Sequence, residues 1–246
     1  MPQVVVLVLA ACGTALATGI GAIPVFLLGR RAAGLAPILL GFAAGVMGVA
    51  AIVGLLIPAS QEGSVAEVIG GLVVGVGFLA VVRWRINPEA HFMGRSGPGA
   101  RTSALVFLVL FVHSLPEGFA VGTAFASDRA GLSLFVILAI AIQNIPEGTS
   151  VAIPMEAAGF GRMRMFWAAV ATSAPQPIGA LVAFVAVESI AGLLPISFAF
   201  AAGAMLALIF VEMLPKAYSG PGRARPSLGA AAGVALMLAL TAALRV

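Results

Sequence analysis

Long apolar blocks make up most of this chain, separated by short stretches that carry its Arg, Lys and acidic residues. Eight blocks emerge, at about 3–28, 35–58, 65–83, 103–126, 132–157, 163–187, 195–217 and 227–244. Each holds roughly 18–26 residues, enough for a helix rising ~1.5 Å per residue to cross ~30 Å of hydrocarbon. The pattern predicts an all-α membrane protein of eight transmembrane helices, with residues 1–246 forming a single transmembrane domain. The first block has no basic residue ahead of it and exceeds the ~7–15 apolar residues of a signal peptide. It is expected to be a retained span. The longest connection, 84–102, contains Pro88, Gly94, Gly97, Pro98 and Gly99 and is expected to be a mobile loop.

Composition supports a lipid solvent. Apolar residues are 61% of the 246, charged residues only 9%, and mean hydropathy is +1.15. A soluble domain of this size would need far more charge to cover its surface. The 30 glycines suit close helix contact in lipid. A net charge of +4 does not point to nucleic acid, because the basic residues sit in short connections rather than along one face. Eleven of the 13 Lys and Arg fall on one side of an eight-span arrangement: Arg30, Arg31, Arg83, Arg85, Arg95, Arg101, Arg162, Arg164, Lys216, Arg223 and Arg225. The other side keeps Arg129 and Arg245 with Glu62, Glu67, Asp128 and Glu188. The positive-inside rule then places both termini outside the cytoplasm, in a cell (inner or plasma) membrane. Trp84 and Trp167 fall near cytoplasmic span ends, where either interfacial anchoring or packing accounts for them. Cys12, the single cysteine, excludes a disulfide within the chain and is expected to be a small packing residue.

Chemistry is concentrated in one short pattern that occurs twice. Residues 113–118 read His-Ser-Leu-Pro-Glu-Gly and residues 143–148 read Gln-Asn-Ile-Pro-Glu-Gly. In each, a Glu follows a side chain able to ligate metal by four residues, His113 before Glu117 and Gln143 before Glu147, so a helix carries both on one face. A charged carboxylate at mid-bilayer costs ~2.5 kcal/mol or more. Two Glu, a His and a Gln at similar depth are accounted for if they surround a cation. The alternative is a polar network that only holds helices together, which is the reading given to Ser114 and Asn144. Pro116 and Pro146 free the carbonyls of Val112 and Ile142, while Gly118 and Gly148 permit close helix approach.

Three further positions are candidates. Met47, within Gly45-Val-Met-Gly48, is either a core residue or a soft ligand. Gln176 lies between Pro175 and Pro177, which predicts a broken helix with unpaired carbonyls, a recurrent way of building transporter sites. Glu212 lies near the cytoplasmic end of the seventh block. The second histidine, His91, stands alone in the long connection and is read as a solvated loop residue.

With these motifs in view, the chain resembles the Zrt/Irt-like (ZIP) family of divalent metal transporters over essentially its whole length. The doubled motif in adjacent spans carries the resemblance, supported by Pro175-Gln-Pro177 and by Val211-Glu-Met-Leu-Pro215. The resemblance implies a 3 + 2 + 3 arrangement of helices with inverted repeats, a metal site on the fourth and fifth spans, and homodimers. Carried over by position, the ligands would be His113, Glu117, Gln143 and Glu147, with Met47 and Gln176 as further candidates and Glu212 as a contact on the cytoplasmic exit. The chain departs from relatives that hold a second metal in having Ser114, Asn144 and Gln176 where those have Asn, Asp or His, and Glu. Two carboxylates neutralise one divalent ion, so one metal at a time is expected.

The ligand types suit Zn²⁺ as the transported substrate, with Cd²⁺, Fe²⁺, Mn²⁺ and Co²⁺ as other candidates. Import toward the cytoplasm is the expected activity. An intramembrane zinc hydrolase is the rival reading, but two histidines and no HExxH pattern cannot build its usual sites. A non-transporting receptor or scaffold holding a metal is the third reading.

Overall fold

The computed structural model describes residues 2–85, 91–127, 129, 131–220 and 222–246. The chain begins with α1 (Pro2–Ile20) and α2 (Ile23–Leu28), a 3₁₀ segment Gly29–Leu35, and α3 (Ala36–Val49). A π-helical segment Ala50–Leu56 then leads into α4 (Ile57–Glu62), followed by α5 (Val65–Arg85). Next come strands β1 (His91–Phe92) and β2 (Arg95–Ser96), then α6 (Pro98–Ala126) and α7 (Leu132–Ala157). The chain continues through α8 (Arg162–Thr172), α9 (Pro175–Ser189) and α10 (Leu193–Leu208). A second π segment, Ile209–Met213, α11 (Leu214–Ala217) and α12 (Ala224–Leu244) complete it. Seven helical stretches among the described residues are long and apolar enough to cross a membrane.

Six of the eight apolar blocks match one stretch each. The first two fall together in Gln3–Glu62, a 60-residue stretch. The connection expected near residues 29–34 keeps helical winding as a 3₁₀ segment, because Arg and Ala are good helix formers and only Gly29, at φ 53°, leaves the right-handed region. The connection 84–102 also differs from the expected loop. Within it, β1 and β2 form an antiparallel hairpin held to the body by side chains on both strands. Phe92 packs on Phe107 and Phe160, and Arg95 donates to the Ala158 carbonyl at 2.8 Å and lies over the Phe160 ring. His91 therefore belongs to a strand, and α6 starts at Pro98, a residue suited to the first helical turn. Residues 86–90 of that connection lie outside the described residues. Cys12 is exposed on α1 rather than packed. Both π segments lie just upstream of prolines, Pro58 in α4 and Pro215 in α11, whose missing N–H leaves carbonyls free to pair in a wider turn.

Helices meet in glycine-lined pairs: α3 with α12, α5 with α10, α6 with α9, and α1 with α7. Two of these crossings position the polar cluster described below. Gly118 of α6 meets the backbone of Gln176 on α9, and Gly148 of α7 meets the carbonyl of Thr18 on α1. A Cβ at either would strike backbone that cannot swing aside. Gly148→Ala is therefore expected to push α1 and α7 apart at a cost of ~1–3 kcal/mol, lowering the melting temperature in detergent. Gly13→Ala is the control: its added Cβ meets nothing within 4 Å, and its melting temperature should be unchanged or slightly higher.

Ion pairs mark the two ends of the bundle. At one, Glu212 receives Arg83 at 2.7 Å and Lys216 at 3.2 Å. At the other, Arg129, in the connection between α6 and α7, donates to Glu62 and Gln61, each at 2.6 Å.

Candidate metal site

Three of the four motif side chains, Glu117, Gln143 and Glu147, meet between two helices, while His113 stands one turn away from Glu117 on its own helix. His113 and Glu117 lie four residues apart on α6, and Gln143 and Glu147 lie four apart on α7. All four are buried, at 5%, 1%, 0% and 4% exposure. Both helices continue through Pro116 and Pro146. The glycines after the two glutamates bring α9 and α1 against the same level, so Gln176 and Thr14 join the cluster.

Glu117 is the centre of the hydrogen bonding. Gln143 Nε2 donates to its Oε1 at 2.8 Å, and Gln176 Nε2 donates to its Oε2 at 2.6 Å. The Glu147 carboxyl adjoins that of Glu117. Behind Gln176, its Oε1 accepts from Thr14 Oγ1 at 2.9 Å and from Asn144 Nδ2 at 3.3 Å. Asn144 Nδ2 also donates to the Thr14 carbonyl at 2.8 Å, and Thr18 and Ser173 hydroxyls pair at 2.6 Å one turn further along α1.

The unpaired atoms are as informative as the paired ones. Among the described residues, three buried side-chain polar atoms have no hydrogen-bond partner: His113 Nδ1, Gln143 Oε1 and Glu147 Oε1. Leaving a buried polar atom unpaired costs ~1–3 kcal/mol, and native interiors hold few such atoms. All three belong to the quartet, one each on three of its members. They are a ring nitrogen, an amide oxygen and a carboxylate oxygen, the donor atoms that a divalent ion of the Zn²⁺ type accepts.

Two cavities connect this level with Glu212. One, of about 240 Å³, is lined by Glu147, Ser150, Glu212 and Lys216 among others. The second, of about 320 Å³, is lined by Arg83, His113, Glu212 and Lys216 with apolar neighbours. Glu212 thus stands at the mouth of both, already shared by two cations. His113 does not converge on the two carboxylates: among the described residues, no three His, Cys, Asp or Glu side chains are close enough to hold a metal ion. Met47 is fully buried among apolar side chains. Among the described residues, Ser114 bonds only to its own helix, at the Leu110 carbonyl.

Thr14 was not singled out by sequence. Thr14 and Thr18, four apart in an apolar helix, were the available signal, since that spacing places two hydroxyls on one face. Neither was the pairing of Glu212 with Lys216, though its i,i+4 spacing allowed it.

Residues 95–241 match the family model described as ZIP zinc transporter. The zinc transporter GufA of Myxococcus xanthus is 35% identical over 241 residues, covering 91% of this chain and 93% of that protein. The zinc transporter ZIPB of Bordetella bronchiseptica is 34% identical over 247 residues, covering 93% and 78%. An Arabidopsis thaliana protein is 33% identical over 232 residues, which are 92% of this chain but 37% of that protein's length.

Proposed function

The chain belongs to the ZIP zinc transporter family, and from that premise we propose that it carries a divalent metal cation, Zn²⁺ first among them, toward the cytoplasm through the site between α6 and α7. The observation that carries this reading is the pair of unpaired buried oxygens on Gln143 and Glu147 beside the Glu117 carboxylate, with the unpaired Nδ1 of His113 one helical turn from Glu117. A cation supplies the partner that each of them lacks. It also separates two adjoining carboxylates that would otherwise repel. Glu117 and Glu147 together balance a charge of +2.

The path toward the cytoplasm follows the two cavities to Glu212. The basic residues support the direction, because Arg83, Lys216 and nine others share the side that the positive-inside rule assigns to the cytoplasm. Eight crossings in a 3 + 2 + 3 arrangement fit the packing. At ~1.5 Å per residue, Gln3–Glu62 would extend ~90 Å if straight, about three bilayer thicknesses. Its first half packs α1 on α7 and its second half packs α3 on α12, which supports two separate crossings.

Uptake of radioactive Zn²⁺ into proteoliposomes tests the proposal. Metal should accumulate well beyond one ion per protein molecule, whereas a scaffold or an enzyme would saturate at stoichiometric binding. The same assay should show uptake falling as external pH is lowered from 8 to 5.5. Ligation needs a neutral imidazole and ionised carboxylates, so protons compete with the ion for the same lone pairs. An affinity for Zn²⁺ that stays flat across that range would argue against this ligand set.

A further inference from the structure

The two buried glutamines at the site have different jobs. Gln143 donates from Nε2 to Glu117 and leaves its Oε1 unpaired, so it has an oxygen to give to a cation. Gln176 has both amide atoms committed. Its Nε2 faces Glu117 Oε2 and its Oε1 faces Thr14 and Asn144.

What fixes this orientation is the backbone. The Thr14 carbonyl can only accept, so the Asn144 group that faces it at 2.8 Å must be the Nδ2 amine. Asn144 Nδ2 then also meets Gln176 Oε1, while Asn144 Oδ1 accepts from Gln176 Nε2 at 3.4 Å. The Thr14 hydroxyl, whose one proton is shared between Gln176 and the Ala11 carbonyl, adds to the same side. Turning the Gln176 amide over would place NH₂ against NH₂ at Asn144 and oxygen against oxygen at Glu117. Every bond in the chain from Thr14 to Asn144 to Gln176 to Glu117 agrees on one arrangement.

We infer that Gln176 is a positioning residue rather than a metal ligand: locked by Asn144 and by the carbonyl and the hydroxyl of Thr14, its NH₂ group holds Glu117 Oε2 and turns Oε1 toward Gln143 and Glu147, where a single divalent cation binds. Thr14 and Asn144 act through it. This deepens the proposed function and rests on it. The cation's seat is on the α7 side of Glu117, and the α9 side is closed by an amide that presents hydrogens, not oxygen, to the carboxylate.

Purified protein with Zn²⁺ alone tests this, read by equilibrium binding and by X-ray absorption at the zinc edge. Gln176→Met removes the donor at similar volume. Affinity should weaken about tenfold, the scale of a lost hydrogen bond to a charged group, with the number of zinc ligands unchanged. Gln143→Leu should remove one oxygen ligand. Asn144→Leu should weaken binding to a similar degree, and the double variant Asn144→Leu/Gln176→Met should be no weaker than the weaker single variant, because one acts through the other. Loss of an oxygen ligand in Gln176→Met would overturn the assignment, as would single effects that multiply to about a hundredfold in the double variant. If these variants fold poorly, Thr14→Val and Thr14→Ser decide. The valine should weaken binding several-fold and the serine should restore it, and wild-type affinity in Thr14→Val would overturn the lock. Glu117→Gln separates the two levels. If it binds Zn²⁺ as the wild type does, the site reading fails and the inference with it. If it loses binding while Gln176→Met loses a ligand, only the inference fails.

Discussion

Glu117→Ala and Glu147→Ala should each abolish Zn²⁺ uptake while the protein reaches the membrane in normal amount. The reason is charge. With both carboxylates present a divalent ion is neutralised locally, and with one removed the ion carries a net +1 into a buried site. Removing one partner of a buried charge pair typically costs ~3–5 kcal/mol, which corresponds to a loss of affinity of about 100-fold or more. The two variants differ in what they leave behind. Glu117→Ala also strips the acceptor from Gln143 Nε2 and Gln176 Nε2, so it should destabilise the fold more than Glu147→Ala, whose Oε1 had no partner to lose. Glu117→Gln keeps one acceptor and isolates the charge. Ser114→Ala is the control, because among the described residues the Ser114 hydroxyl reaches only the Leu110 carbonyl of its own helix, and its uptake should stay near wild type. Proteoliposome uptake normalised to protein content decides the matter, and wild-type rates in either glutamate variant would remove the site from α6 and α7.

The sequence revealed the quartet because its features were local. A four-residue spacing, a proline and a glycine, repeated once 30 residues later, say which side chains share a face without knowledge of the fold. The break before α9 was legible for the same reason, in Pro175-Gln-Pro177. Thr14 was not legible. Its hydroxyl also bonds the Ala11 carbonyl, as a threonine in any apolar helix can, and its partner Gln176 lies 162 residues away. The helical winding of the connection between the first two blocks was not legible, because hydropathy registers Arg30 and Arg31 as polar although both favour helix. Hydropathy likewise hid the first turn of α6, Pro98–Arg101, whose residues are polar or small yet suited to a helix start. The π segments escaped because proline does not act uniformly: Pro58 and Pro215 follow widened turns, whereas Pro116 and Pro146 do not. Tertiary contact, which no local pattern records, decides between those outcomes.

Replacing the two amides beside the site by carboxylates should change how many ions it holds. Two divalent ions ~4 Å apart repel by ~16 kcal/mol even at an effective dielectric of 20, and Glu117 and Glu147 supply only two of the four negative charges needed to balance them. Asn144 and Gln176 face each other on the α9 side of Glu117, at 3.3 and 3.4 Å, and offer neutral amides. Asn144→Asp with Gln176→Glu converts that pair into two more carboxylates. The same change removes both NH₂ groups, which face Glu117 Oε2 and the Thr14 carbonyl, so acceptors would face one another there. Four buried carboxylates without an intervening cation are strongly unfavourable, and a second divalent ion relieves them. The wild type should therefore bind one metal at the transport site and the double variant two, counted by metal analysis after weak surface ions are removed and located by anomalous scattering. The variant should also lose folded stability when metal is chelated and recover it on adding Zn²⁺, to a greater extent than the wild type. Two metals at this site in the wild type would show that neutral amides suffice, and that charge is not what limits the site to a single ion.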